Sequence, residues 1–518
     1  MAEVLFGIDF GACNLKCVKL GEKKISGVRL TANENVSYHM PNAIFYNKNK
    51  DGEIQKVIGQ AALNLADVEP ENLIVDLKRK LEQKNWRQFI PALNREITAP
   101  EVLEDIFKKI YDMATRNLSK EDVARAAVTV PVIFTKNQRQ IIIDAATKVG
   151  FKVDGVINEA FATIFALKSQ EDSFNLVFDL GGSTLDVSAI KIEGDEIHEL
   201  AATGIKLGGL DIDRDILEKI LKPKYESILN AAWDFDNKDA QQMNFVRQLK
   251  EAIYLDEFSE EICGEEIRVE EIRGNKISNR KDFGKIVLSR AEVDDLLERE
   301  GYREKIIELL DELFDALSEH DECFDKSDVT QIWALGGSLQ IPYFRTILKD
   351  YFGAELFDAQ DYDFEDADDF LNGLENKYLV VAGGAANFLK KRETVTTINA
   401  IPYRVCFKVG KNLRQGLAKN LPAGFETLYL PLKLSDLEAA GWKIELYQTF
   451  GDEANFDDAA YLDSVQLNST LYEKKESPLL RLKMMRDGRL RLRIGERRTF
   501  EEESEFVLLE QHFLELEG

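Results

Sequence analysis

Short apolar runs separated by polar turns open the chain. Val4–Asp9, Cys17–Leu20, Gly27–Leu30 and Asn42–Phe45 predict strands of one sheet. From Thr98 to Leu118 the apolar positions change to helical spacing, through Val102, Leu103, Ile106, Ile110, Met113 and Ala114. Pro100 falls near the start of that helix, where its missing N–H costs nothing. A buried strand at Ala126–Val130 then leads through Pro131 to a helix over Lys136–Val149. Val156–Ile157 predicts a short strand and Ala160–Leu167 a helix, and the charged stretch Lys168–Ser173 closes this half.

The second half opens on an almost wholly apolar strand, Phe174–Leu180, followed by Asp186–Ile192 and Glu196–Thr203. Helical patterns run from Ile212 into Leu221, over Asn237–Phe258 and over Arg290–Leu317; Gln331–Leu335 predicts a strand and Pro342–Tyr351 the helix after it. The two halves echo one another. Asp9 and Asp179 each end an apolar strand, each precedes a small-residue turn, and each is followed by a returning strand. Two related lobes facing each other would bring both acids and both turns to one cleft. Past Lys391 the periodicity shortens to alternating runs: Tyr403–Val409, Glu426–Leu432, Trp442–Tyr447, Ser464–Leu467, Leu479–Met485 and Leu490–Ile494, with a tight turn at Asp487–Gly488. A separate β-rich domain is expected there, after a short linker near Thr394–Asn399.

Composition narrows the function classes. At 518 residues the chain is too long for one core, and 44% hydrophobic with 31% charged residues suits a folded protein. A net charge of −26 repels nucleic-acid backbones and anionic membranes, so neither is expected as a partner. The richest apolar stretches, Gly155–Leu167 and Leu379–Leu389, fall well short of the roughly 20 residues that span a bilayer. The opening MAEVLFGIDF has no basic leader, and five scattered cysteines suit a reducing compartment. A cytoplasmic location is expected. Cys13 and Cys17 lack a second ligand pair, and four histidines leave little scope for His-based chemistry. The acidic stretch 355–369 reads as a solvated loop.

The acids and glycines suggest phosphate chemistry. A phosphate tail needs backbone N–H donors in turns that admit an anion closely, with a divalent cation nearby. Gly181–Gly182, Gly208–Gly209 and Gly336–Gly337 could supply such turns, and Asp9, Asp179 and Asp186 could hold Mg²⁺ directly or through water. Neither GxxxxGK[ST] nor a GxGxxG opening a helix occurs, so a P-loop NTPase and a dinucleotide-binding dehydrogenase are excluded.

The same segments resemble heat-shock protein 70 (DnaK-like) chaperones. GIDFGACN at Gly7–Asn14 is similar to their first phosphate segment. AVTVPVIFTKNQRQIIIDAATKVG at Ala127–Gly150 is similar to the strand–Pro–helix signature, and VINEAFATIFAL at Val156–Leu167 to the crossover helix. NLVFDLGGSTLDVSAI at Asn175–Ile190 resembles the second phosphate segment, ALGGSLQIPYF at Ala334–Phe344 the nucleoside segment, and VAGGAANFL at Val381–Leu389 the last helix.

The resemblance implies an α/β actin-like ATPase fold of two lobes and four subdomains over residues 1–390. Lobe I would take about 1–170 with a final helix at about 378–390, and lobe II about 174–377. A linker at 391–400 and a β-sandwich domain at 401–518 would follow. The resemblance also implies the site. Asp9 and Asp179 would anchor hydrated Mg²⁺, Lys78 would reach the γ-phosphate, Glu159 and Asp186 would position water or metal, and Thr184 would donate to phosphate. Gly11, Ala12, Cys13, Asn14, Gly181, Gly182, Ser183, Gly208 and Gly209 would line the phosphates of ATP or ADP. Lys250, Gly336, Gly337, Ser338 and Gln340 would face the nucleoside. Pro131 and a surface Arg139 would relay nucleotide state.

Departures shape the expected function. Ala12 and Cys13 replace two hydroxyl residues, Gln340 an arginine stacked on adenine, and Tyr254 a serine. Gly155 replaces the arginine that contacts a J-domain partner, and VTTINA replaces the leucine-rich linker, so weak or rewired allostery is expected. With the chain stopping after EFVLLEQHFLELEG, the family's long helical lid is not expected. The leading reading is a chaperone-like weak ATPase that binds extended polypeptide transiently, served by a specialised co-chaperone or exchange factor rather than an ordinary J-domain partner. The alternative is a scaffold that uses ATP as a structural ligand; an actin-like sugar kinase ranks third.

Overall fold

The computed structural model describes residues 2–21, 25–31, 38–65, 69–83, 85–167, 172–229, 239–255, 261–263, 287–318, 324–353, 379–391, 396–398, 403–418, 427, 430–449, 459–467, 478–484, 490–495 and 504–508. The acidic segment 355–369 and the Asp487–Gly488 turn lie outside the described residues.

Two sheets built on one plan carry the first 390 residues. The first has the order Lys152–Asn158, Val123–Val130, Glu3–Phe10, Asn14–Leu20, Ile25–Gly27, with His39–Pro41 also paired to Asn14–Leu20. The second has the order Gln331–Leu335, Ser173–Leu180, Leu185–Glu193, Glu196–Ile205, Thr396–Ile398. In each, the acid-bearing strand lies between a parallel neighbour and its own antiparallel hairpin partner. The hairpins repeat in register as well: Asp9 stands opposite Lys16, and Asp179 opposite Asp186.

The acid-bearing strands are mostly apolar because both faces are covered. Phe6, Ile8 and Phe10 share a core with Val102, Leu103, Ile106 and Phe107 of the Ala99–Ala114 helix. Thr98 and Glu101 cap that helix reciprocally, with Thr98 N–H donating to Glu101 Oε2 at 2.9 Å. On the other face the Val380–Lys391 helix crosses so closely that a Cβ on Gly7 would fall 1.9 Å from the Ala382 carbonyl oxygen. Gly384 of the same helix makes a similar approach to the Ala162 carbonyl. The final helix is therefore seated on the first sheet and against Glu159–Ile164.

Several elements differ from expectation. The Arg290–Leu317 pattern forms two helices, Arg290–Arg299 and Tyr302–Ser318, because Gly301 adopts φ +68° between them. The Ile212–Leu221 pattern becomes Gly209–Ile216 followed by a wide π turn at Leu217–Leu221. The third strand is Ile25–Gly27 rather than Gly27–Leu30. The sequence pattern missed the Arg87–Ile90 and Arg95–Thr98 hairpin and the Ile54–Ile58 strand, whose side chains are mostly exposed.

Residues beyond 402 form two four-stranded sheets. One has the order Asn412–Leu417, Arg404–Val409, Lys443–Thr449, Ala460–Gln466, and the other Leu430–Pro431, Leu479–Met484, Leu490–Gly495, Ser504–Leu508. Val405, Phe407, Ile444 and Leu446 of the first share one core with Leu480, Leu482, Leu490 and Leu492 of the second. The linker is not bare chain: Thr396–Ile398 pairs in parallel with Glu196–His198 at the edge of the second lobe's sheet. That contact is made by backbone, which explains why VTTINA carried no side-chain signal for it. A second contact joins the β-rich domain to the first lobe. The Lys136 N–H donates to Gln448 Oε1 at 3.2 Å, and Lys136 Nζ reaches the Leu462 carbonyl at 3.5 Å.

Candidate functional site

The Glu3–Phe10 strand delivers Asp9 to the base of the cleft, where it is buried. Thr129, its partner on the parallel strand, donates to Asp9 Oδ1 at 3.3 Å, and Lys16 across the hairpin places Nζ 2.6 Å from Oδ2. In the second lobe Asp179 and Asp186 occupy the corresponding positions as two facing acids. The Val132 N–H, just past the end of Val123–Val130, donates to Asp186 Oδ1 at 2.7 Å, while Asp186 Oδ2 has no hydrogen-bond partner among the described residues. The first lobe thus reaches into the second lobe's acid pair.

Lys78 enters from the short Leu77–Glu82 helix and forms a buried ion pair with Glu159, the first residue of Glu159–Ile164. Burial raises the Glu159 carboxyl even beside that ammonium. Burial, reinforced by Asp186 and Asp9, pushes Asp179 up to about 7. Asp186 is raised by burial as well. Four carboxylates therefore face two ammonium groups in a space shielded from water, which is an environment that favours added positive charge.

The second lobe's turns are knitted into one surface. Gly181 N–H donates to the Thr184 carbonyl at 2.9 Å, Gly209 N–H to Gly181 at 3.0 Å and Leu210 N–H to Gly182 at 2.8 Å. Ser338 Oγ donates to the Gly181 carbonyl at 3.1 Å, and Lys250 Nζ to the Gly209 carbonyl at 3.0 Å. Asp213 anchors Lys250, with Oδ1 2.6 Å from Nζ. A Cβ on Gly208 would meet Gly182 and Ser183 backbone at 2.6 Å, and one on Gly182 the Cys13 sulfur at 2.5 Å. Gly336 holds φ +95° against Leu180, whereas Gly337 faces open space. Ala12, Ser183 and Thr184 are buried, and Gly11, Cys13, Asn14 and Gln340 are half-buried. Asn42 ties the first turn down, donating through Nδ2 to the Gly11 carbonyl at 2.9 Å.

The residues singled out from sequence thus form two adjoining groups: Asp9, Lys78, Glu159, Asp179 and Asp186 at the base, and the glycine turns with Ser338 and Lys250 above. Sequence reasoning missed Lys16, Thr129, Asp213 and Arg247, whose Nε lies 3.5 Å from Asp213 Oδ2. A register count of the first hairpin exposes Lys16, since it faces Asp9. Arg139 is a correction. It was expected at the surface but is buried, because strand Val123–Val130 ends at Pro131 and leaves carbonyls to satisfy. Its guanidinium donates to the Pro131, Val132 and Phe134 carbonyls and to Asn158 Oδ1 at 2.9 Å. Pro131 and Arg139 are therefore in direct contact.

A family model described as Hsp70 protein matches residues 5–363. This chain belongs to the Hsp70 family. It has the family's actin-like ATPase fold, followed here by the β-rich domain. Among curated relatives, Chaperone protein dnaK of Cyanidium caldarium is 27% identical over 380 residues, covering 67% of this chain and 56% of the relative. Chaperone protein DnaK of Thermoplasma volcanium is 30% identical over 367 residues, covering 67% and 54%. The ribosome-associated molecular chaperone SSB of Candida glabrata is 27% identical over 397 residues, covering 68% and 58%. The chain spans a little over half the length of these relatives. Among the described residues no helix is long and apolar enough to cross a membrane.

The family's magnesium ion fits the donor set as a hydrated ion. No group of three or more His, Cys, Asp or Glu side chains among the described residues is close enough to wrap a bare metal. The unpartnered Asp186 oxygen and the buried, raised Asp179 are suited to hold water on such an ion.

Proposed function

We propose that the cleft binds Mg·ATP and hydrolyses it slowly, and that nucleotide state governs transient binding of extended polypeptide by the β-rich domain. The observation that carries this reading is the buried Lys78–Glu159 pair beside Asp9, Asp179 and Asp186, adjoining closely packed glycine turns. In this reading residues 1–390 bind nucleotide, 391–400 link, and 401–518 receive the client.

Asp9, Asp179 and Asp186 would hold the hydrated magnesium, which supplies charge neutralisation to the phosphates. Lys78 holds a fixed positive charge toward the transferring phosphoryl, where preorganised charge is most effective. Glu159 orients that ammonium and accepts from the attacking water. Thr184 and the turns at Gly11–Asn14, Gly181–Ser183 and Gly208–Gly209 line the phosphates, while Lys250, Gly336, Gly337, Ser338 and Gln340 face the nucleoside. Ala12 offers no hydroxyl to phosphate, which is the reason to expect slow turnover.

Client binding would proceed by strand addition at a sheet edge, with backbone hydrogen bonds for affinity and side-chain pockets for selectivity. The Ala460–Gln466 edge strand exposes Tyr461 and touches the first lobe through Lys136, which supports a route from cleft to client. Expected partners are unfolded polypeptide and a specialised co-chaperone or exchange factor. The second reading, a scaffold that uses ATP as a structural ligand, draws on Ala12 and on a Lys78 already paired with Glu159. Measuring ATP turnover and unfolded-peptide binding together, each with ATP and ADP, separates them: both present supports the first reading, and tight ATP binding with neither supports the second.

A further inference from the structure

The two hairpins that carry the acids are equivalent in topology but opposite in charge. In the second lobe Asp179 faces Asp186, and in the first Asp9 faces Lys16. Like charges directly opposite on a sheet destabilise it and opposite charges support it. The acid pair therefore calls for a cation from outside, whereas the first lobe brings a cation of its own.

We propose that Lys16 is a phosphate-side cation of the nucleotide site, a tethered counter-ion on Asp9 that lets the cleft retain nucleoside di- and triphosphates without a divalent metal. This rests on the nucleotide-binding reading above and assigns one of its residues. Lys16 Nζ lies 2.6 Å from Asp9 Oδ2 and is also within electrostatic reach of Asp179 and Glu159, so it sits over the shared floor of the cleft. An ammonium carries three donors, and Asp9 takes one. The Lys16 side chain is 19% exposed, against 2% for Lys78, which is closed in with Glu159. Lys16 is therefore partly accessible where Lys78 is not, and a compact ammonium suits phosphate oxygens as a point charge. Asp9 then shares its charge between Lys16 and metal-bound water, so Asp179 and Asp186 carry more of the magnesium's hold.

Isothermal titration of the full chain with ATP, ADP and adenosine, in Mg²⁺ and in excess EDTA, tests this with K16M and K16R beside the unmodified protein. The unmodified chain should lose no more than about tenfold in ATP and ADP affinity on removal of Mg²⁺. K16M should lose on the order of a further tenfold to a hundredfold in EDTA, as expected when a charged hydrogen bond is removed, and K16R should recover most of it. Adenosine, lacking phosphate, should bind all three alike. Equal Mg²⁺ dependence in K16M and the unmodified chain overturns the inference, as does an equal loss for adenosine. Should K16M fail to fold, the unmodified chain decides alone: binding of ATP and ADP abolished by EDTA overturns the assignment. Absence of Mg·ATP binding at millimolar concentration overturns the nucleotide reading itself, and this inference with it.

Discussion

Lys78 and Glu159 meet across 81 positions of sequence as a buried ion pair, their side chains 2% and 9% exposed. The pair joins the edge of the first lobe to the helix that crosses between lobes. If Lys78 acts on developing phosphoryl charge, its loss should fall on chemistry rather than binding. K78A should slow single-turnover ATP hydrolysis by on the order of 10²-fold or more, with Mg·ATP affinity little changed. An unchanged chemical rate contradicts the assignment, and so does an affinity loss that accounts for the whole defect.

Close packing of the final helix makes a stability prediction. A Cβ on Gly384 would fall 1.8 Å from the Ala162 carbonyl oxygen, whereas one on Gly155 meets nothing within 4 Å. G384A should destabilise the chain by about 2–4 kcal/mol and G155A by less than about 0.5 kcal/mol, since overpacking forces backbone shifts and open surface does not. Denaturant unfolding of the two variants checks this; a G384A as stable as G155A would contradict the packing.

Much of this architecture was legible in the chain because its signals are local. The apolar strands ending in Asp9 and Asp179 and the helix over Val102–Ala114 stand as read, and the internal echo of the two halves reappears in the two sheets. What escaped was set by partners distant in sequence. Arg139 looks like a solvated helix arginine until Pro131 turns its carbonyls inward. The strand Thr396–Ile398 pairs through backbone, which residue identity does not encode. Lys16 was missed because cross-strand register, rather than motif, places it on Asp9.

Gly155 bears on partners. Its open surroundings leave room for a long side chain, but glycine offers no donor to a partner's acid. A generic J-domain protein should not strongly stimulate ATP turnover by the unmodified chain, and G155R should increase its effect. Steady-state turnover against J-domain concentration measures both; strong stimulation without the substitution runs against this expectation.

A buried carboxylate on the Glu196–Ile205 strand sets a pH dependence. Burial pushes Glu199 from an ordinary 4.5 up to about 7, although the Ser188 hydroxyl donates to it at 2.9 Å. The folded state then holds a proton that the unfolded chain releases, so Glu199 makes stability fall as pH rises from about 4.5 to 7 and level off above. E199Q, which stays neutral, should gain about 2–4 kcal/mol relative to the unmodified chain between pH 4 and pH 8. Urea unfolding at both pH values measures the change, and a pH-independent difference would show that Glu199 is not held protonated.

The central claim is that a nucleotide cleft at one end of this chain controls polypeptide held at the other. The Thr396–Ile398 strand and the Lys136 contacts to Gln448 and Leu462 join the two. Stopped-flow fluorescence tests this directly, with a labelled apolar peptide bound to the full chain and then mixed with unlabelled peptide in Mg·ATP or in Mg·ADP. The account predicts release at least a few-fold faster in Mg·ATP, appearing chiefly as a change in off-rate. Identical release in the two nucleotides, or no peptide binding at tens of micromolar (an order-of-magnitude threshold for weak recognition), contradicts it.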